Sequence, residues 1–188
     1  MRRTRILLAD DHAMICAGFQ KLLEPEFEVV GTVGDGRSLL TAAEELKPDL
    51  VLVDVGMPLL NGLDAARQLK KTTPRVKLIF LTMNPDYDVA EEAFRIGASG
   101  YLLKTAQGDE LLKAVRDVTR GTSYVKPQIR HEMVERFIQD PKTASRPRQL
   151  TPRQREIVQL LAEADQRRKS PPFLTSRSGR STSISTRS

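Results

Sequence analysis

The sequence predicts an α/β fold, a five-stranded doubly wound parallel sheet, from three observations. Five short, almost wholly apolar runs recur between residues 5 and 104. Each is followed by a stretch whose apolar residues return at helical spacing. The runs also lack the apolar-polar alternation of a sheet with one wet face, so both faces are covered, as in a parallel sheet between two helical layers.

The elements come in order along the chain. RILLA (5–9) is the first strand and breaks at Asp10 and Asp11; residues 13–23 form the first helix. FEVVGTV (27–33) is the second strand, and in the helix at 37–46 the side chains of Leu39, Ala42, Ala43 and Leu46 fall on one face. LVLVD (50–54) is apolar up to its last residue, which makes it the central strand, and 63–71 is its helix. VKLIFLT (76–82) with 86–96, and GYLLK (100–104) with 109–119, complete the pattern. The first domain therefore covers residues 1–120.

Beyond it the character changes. Residues 121–149 read as a linker with a helix after Pro127, ending in the polar, Pro-containing QDPKTASRPRQ. Residues 150–164, LTPRQREIVQLLAEA, carry a helix start: Thr151 as N-cap, Pro152 at the first helical position, and a stripe of Ile157, Val158, Leu160 and Leu161. Residues 166–188 hold seven Ser, three Thr, five Arg and one Lys among 23 positions, a composition that cannot build a core.

Charge is segregated in the same way. The chain of 188 residues has a net charge of +6, yet residues 1–120 carry 16 basic and 18 acidic side chains and residues 121–188 carry 14 and 6. A basic rear suits an anionic partner such as nucleic acid, or a solvated linker and tail. Cys16 is the single cysteine, so no disulfide framework exists. No apolar run is long enough for a membrane span, and the N-terminal one breaks after four residues, too early for a signal peptide. A cytoplasmic protein is expected.

The strand ends carry the chemistry. In an open α/β sheet, ligands bind at the carboxyl ends of strands where the strand order reverses. With the order 2-1-3-4-5, the first and third strands are neighbours and Asp10, Asp11 and Asp54 converge. Several carboxylates cannot ionise together without a counter-charge. A hard divalent cation such as Mg2+, which takes one or two carboxylates and keeps its waters, supplies it. Thr82 and Lys104 end the fourth and fifth strands and add a hydroxyl and an ammonium, which makes the edge a phosphate site. A carboxylate there can attack phosphorus to give an acyl phosphate, and Asp54, with VGMPLLNG turning behind it, is the best-placed nucleophile. Gly56 can offer its backbone carbonyl to the metal. His12 is read as a non-ligand, because the only other histidine stands at 131. GDGRSL (34–39) lacks the third glycine and the acidic partner of a dinucleotide site.

The set Asp10-Asp11, Asp54 followed by Met57-Pro58 and Asn61-Gly62, Thr82, Tyr101 and Lys104 resembles the receiver domain of two-component response regulators, over roughly residues 3–120. The resemblance implies the flavodoxin/CheY-like fold and a non-enzymatic switch. It implies that a sensor histidine kinase phosphorylates Asp54, and that Asp11, Asp54 and the carbonyl of Gly56 hold Mg2+ with Asp10 acting through water. It further implies that Thr82 and Tyr101 form a switch pair, Tyr101 packing inward as Thr82 moves to the phosphoryl group. Thr105 departs from the proline that many receivers have after the lysine. An enzyme of the haloacid dehalogenase type fits less well, since no DxD stands at the first strand's end.

Residues 150–163 resemble the first helix of the helix-turn-helix domain of the LuxR/NarL class, which implies transcriptional control, DNA as a partner and a possible homodimer. Which residues contact DNA is unknown, because such a domain needs about 60 residues and only 38 remain from Thr151. The tail has two readings. A parent continuing EGRSTKEIAAILNISVRTV, typical of that class, with suitably chosen codons and one G deleted from a GAGGGC run, translates as EADQRRKSPPFLTSRSGR, identical to residues 163–180. On that reading 165–188 is an out-of-frame remnant and DNA affinity in this chain is weak and nonspecific; otherwise it is a genuine Arg/Ser tail. The corresponding alternative function is a stand-alone receiver that docks protein partners without specific DNA binding.

Overall fold

In the computed structural model, residues 2–126 and 129 are described. The helix expected at 150–164, the one expected after Pro127 and the tail at 165–188 lie outside them. The described chain alternates strictly: β1 (Arg5–Ala9), α1 (Ala13–Leu23), β2 (Glu28–Val33), α2 (Gly36–Leu46), β3 (Leu50–Asp54), α3 (Gly62–Thr72), β4 (Lys77–Thr82), α4 (Tyr87–Ile96), β5 (Gly100–Leu103), α5 (Gly108–Thr119) and β6 (Tyr124–Val125). The sheet is parallel in the order β2-β1-β3-β4-β5-β6. Its first five strands stand in the expected order.

Strand periodicity divides the core into two layers. Ile6 and Leu8 of β1, Leu50 and Leu52 of β3, and Ile79 and Leu81 of β4 pack with Leu111, Val115 and Val118 of α5. The intervening residues Leu7, Ala9, Val51, Val53, Leu78 and Phe80 face the other way, onto Leu39 and Ala43 of α2, Ala65 and Leu69 of α3 and Phe94 of α4. All five residues of β3 are buried, as its unbroken apolar run requires, whereas the edge strand β2 is only partly covered. Each fully buried Leu, Ile or Phe contributes about 1.5–3 kcal/mol relative to exposure, so these two layers are what hold the sheet.

Three of the helix starts are set by side chains. Asp35 Oδ1 accepts from the backbone N–H of Arg37 and Ser38 at 2.8 and 2.9 Å, which moves the start of α2 one residue ahead of the expected 37. Asn61 Oδ1 accepts from Asp64 N at 2.9 Å, and Asp86 Oδ1 from Asp88 N and Val89 N. Each such cap is worth about 1 kcal/mol. Gly97 closes α4 at φ 107°, where a side chain would be strained.

One expectation is corrected. The sheet has six strands among the described residues rather than five: Tyr124 and Val125 pair with Gly100 and Tyr101, and Val125 and Ile129 are buried in the same core layer as α2, α3 and α4. Two residues carry no readable period, so this strand is invisible to pattern analysis. No helix among the described residues is long and apolar enough to cross a membrane.

Candidate functional site

The strand order reverses between β1 and β3, and the crevice there is lined by residues at the carboxyl end of each strand. Asp10 stands directly after β1, with its N–H donating to Val33 O at 2.9 Å; Asp54 is the last residue of β3. Lys104 lies one residue past β5 rather than within it, held by its N–H on Thr82 O at 2.7 Å. The side chains meet. Lys104 Nζ stands 2.8 Å from Asp10 Oδ2 and 2.9 Å from Asp54 Oδ2, with the lysine side chain 1% exposed and the two carboxylates 3% and 5%.

Burial works against the Lys104 charge, but hydrogen bonds and charge from Asp10 and Asp54 outweigh it and hold the ammonium above the ordinary lysine value. Burial, joined by the Asp10 charge, pushes the Cys16 thiol up, and its Sγ donates to Asp10 O at 3.4 Å. That cysteine is inert packing under the site.

Asp11 is more exposed, at 37%, and its Oδ1 lies 2.8 Å from His12 Nδ1, which is also 3.0 Å from Asp10 Oδ1. Asp10, Asp11, His12 and Asp54 offer four ligand atoms within 4.8 Å of one another. Three carboxylates face one ammonium, a formal excess of two negative charges. Asp10 Oδ2 is buried, with Lys104 Nζ at 2.8 Å as its partner. An oxygen-preferring divalent cation fits such a set on both charge and donor type.

The loop after β3 shapes the floor. Gly56 N donates to Asp54 Oδ1 at 3.2 Å, and Leu59 takes a left-handed backbone with φ 62° while 75% exposed. Gly62 starts α3 against the end of β3, where an added Cβ would stand 2.0 Å from Asp54 O. Gly62→Ala must therefore push α3 off the strand that carries Asp54, at an expected cost of about 1–3 kcal/mol or more. Gly18→Ala on α1, where a Cβ meets nothing within 4 Å, should instead stabilise by up to about 1 kcal/mol. Urea denaturation of the two variants checks the contrast, and equal midpoints would contradict it.

Thr82 ends β4 with its hydroxyl donating to Asn84 O at 3.1 Å. Tyr101 is fully buried, its hydroxyl donating to Asp86 O at 3.3 Å. Burial pushes that phenol up to about 12, hydrogen bonding with Thr82 offsetting part of it. The structure thus brings Asp10, Asp11, Asp54 and Lys104 together, sets Gly56 beside Asp54, and holds Tyr101 already inward. His12 is the residue that the sequence pattern leaves aside. Its partners are the aspartates one and two positions before it, a signal that a search for a second histidine misses.

A family model described as the response regulator receiver domain matches residues 6–116. The transcriptional regulatory protein DegU of Brevibacillus brevis is 36% identical over 137 residues, 72% of this chain and 58% of its own length. The oxygen regulatory protein NreC of Staphylococcus carnosus is 35% identical over 167 residues, 85% of this chain and 77% of its own. Among solved structures, a two-component response regulator of the LuxR family from Aurantimonas sp. SI85-9A1 superposes with a TM-score of 0.69 at 30% identity, over 72% of this chain and 99% of that one. A DNA-binding response regulator of the LuxR family from Staphylococcus aureus does so with a TM-score of 0.58 at 25% identity, over 61% of this chain and 98% of that one. The chain spans less than two thirds of the DegU relative's length.

Proposed function

The chain belongs to the response regulator receiver family, and from that premise we propose that it is a cytoplasmic, non-enzymatic two-component switch, phosphorylated on Asp54 by a sensor histidine kinase to control transcription. The observation that carries this reading is the buried Asp10–Lys104–Asp54 triad at the carboxyl edge of the sheet, with Nζ 2.8 and 2.9 Å from the two carboxylates.

In the transfer, an Asp54 carboxylate oxygen attacks the phosphorus of a phosphohistidine. The new O–P bond forms as the N–P bond breaks, and the kinase imidazole leaves with the bonding pair. Lys104 holds an ammonium where the transferring oxygens gain charge, preorganised by the same contacts that hold it in the resting site. Asp11, Asp54 and the carbonyl of Gly56 would hold Mg2+, with Asp10 acting through water; when bound, it neutralises charge between the attacking carboxylate and the phosphoryl oxygens. Incubation with acetyl phosphate and Mg2+ tests the reading: one phosphoryl mass should be gained, hydroxylamine-labile and mapping to Asp54. A label mapping elsewhere would end the assignment.

The switch starts at Thr82. Its hydroxyl would exchange the Asn84 carbonyl for a phosphoryl oxygen, drawing the β4–α4 loop inward over Tyr101. Since Tyr101 is already buried, the change is a tightening of that loop rather than an inward swing of the ring. Thr82→Ala should accept phosphate within about threefold of the wild-type rate, because the nucleophile and ammonium are untouched. It should lose the phosphorylation-dependent amide shifts of residues 84–90, read by NMR. Undiminished shifts would remove Thr82 from the coupling.

A transcriptional output is supported by the likeness to NreC. Its 85% coverage exceeds what residues 2–126 supply, so the similarity continues past the described fold toward the basic rear of the chain. DNA is the proposed partner there, with homodimerisation a natural consequence for a two-fold operator.

A further inference from the structure

The amino edge of the sheet, opposite the acidic pocket, is basic. Arg2 and Arg3 precede β1, Asp49 precedes β3, Arg75 stands before β4 and Lys77 opens it; with Thr119 at the end of α5 they line a cleft of about 460 Å³. The residues of β3, at about 3.3 Å each, place this cleft roughly 17 Å from Asp54, so it is no part of the phosphoacceptor pocket.

Charge there is out of balance. Among the described residues that line the cleft, Asp49 alone is acidic, against the four cations Arg2, Arg3, Arg75 and Lys77, a formal surplus of three. Arg2 Nη2 lies 3.1 Å from Asp49 Oδ1, Lys77 Nζ donates to Thr119 O at 2.8 Å, and Arg3 donates to Glu24 O and Glu26 O past the end of α1. Those carbonyls accept hydrogen bonds without carrying a charge. The carboxyl ends of α1, α3 and α5 add about half a negative charge each, so even counted in full they leave about one and a half positive charges uncompensated. The exposed Arg75 guanidinium has no ion-pair or hydrogen-bond partner among the described residues.

Helix carboxyl ends alone would repel an anion. The side chains reverse that sign, because guanidinium N–H pairs grip phosphate oxygens two at a time and a lysine adds a point charge. The cleft is concave and falls within the roughly 300–1,000 Å³ of small-molecule sites, which suits a compact ligand better than the extended backbone of a nucleic acid. Its surplus of three charges matches a di- or triphosphate rather than a lone carboxylate.

We propose that this cleft is a second anion site, remote from the phosphoacceptor, that takes a small molecule carrying a di- or triphosphate group. Bound there, the phosphates bridge the segment before β1 to the start of β4 and stabilise the folded chain by mass action.

The test uses the full chain in EDTA at physiological salt, with inorganic pyrophosphate, ADP and a short DNA duplex as separate probes. Pyrophosphate should shift the amides of Asp49, Arg75, Lys77 and Thr119, and its affinity should fall by at least about tenfold in Arg75→Glu, since a charge-assisted contact becomes a repulsion. Tighter binding of ADP than of pyrophosphate would identify a nucleotide as the source of the phosphates; equal binding would assign recognition to the phosphates alone. Pyrophosphate shifts confined to residues 127–188, or an affinity unchanged in Arg75→Glu, overturn the proposal, because the anion then sits on the basic rear of the chain. Shifts of the four cleft amides by the duplex and not by pyrophosphate overturn it as well, and make the cleft a nucleic-acid backbone contact.

Discussion

Asp54→Asn should lower Mg2+-dependent phosphorylation by a small phosphodonor more than about a thousandfold, because an amide offers no anionic oxygen to attack phosphorus and nucleophile deletions cost at least that much. The fold should survive. Lys104 keeps Asp10 at 2.8 Å when its second partner is neutralised, so the ammonium is not orphaned. The pocket also loses one of the three carboxylates that crowd it, which relieves repulsion in the absence of divalent cation. Thermal unfolding in EDTA should therefore show a midpoint for Asp54→Asn no lower than the wild type's. Phosphorylation at the wild-type level would remove Asp54 from the nucleophile's role, and a lowered midpoint would show that the pocket's charges are balanced rather than in excess.

Much of this site was legible because polar residues at strand ends stand out against apolar runs. Asp10, Asp54, Thr82 and Lys104 each interrupt or close such a run, and the topology that brings strand ends to one edge does the rest. Helices were legible to within a residue or two, since the 3.6 period is long enough to count. The features that escaped depend on through-space contact. The Tyr124–Val125 strand is too short to have a period and exists because the Gly100–Leu103 edge is open to pairing. Gly62 reads as half of an Asn-Gly turn, but the reason no larger residue fits is the Asp54 carbonyl. Counting histidines discounts His12, although its partners are its own neighbours in sequence. The inward position of Tyr101 is likewise a matter of packing, which no strand pattern encodes.

Lys104→Met should separate the two jobs of the lysine. Methionine keeps most of the aliphatic stem and deletes the ammonium, leaving Asp10 and Asp54 buried at 3% and 5% exposure with no cation between them. Removing one member of a buried ion pair costs about 3–5 kcal/mol, and here two carboxylates lose the same partner. In EDTA the variant should unfold at a midpoint lower by more than 10 °C, at roughly 4 °C per kcal/mol for a fold of this size. Mg2+ should recover more stability in the variant than in the wild type, because no ammonium competes with it for Asp10 and Asp54; saturation at a hundred times the dissociation constant is worth about 2.7 kcal/mol. The pH dependence has a definite sign. The Lys104 pKa is raised above 10.5 in the folded chain, so its contribution is present in full below the unfolded value and is lost as pH rises through the folded one. The gap between wild type and Lys104→Met should be constant near neutral pH and close only in strong alkali. Recovered stability should not restore chemistry: phosphorylation of the Mg2+-loaded variant should stay about a hundredfold slow or worse, because a charge that stabilises the transferring oxygens is gone. A variant as stable as the wild type in EDTA would mean that water, not lysine, compensates the buried carboxylates, and the triad would lose its place as the centre of the site.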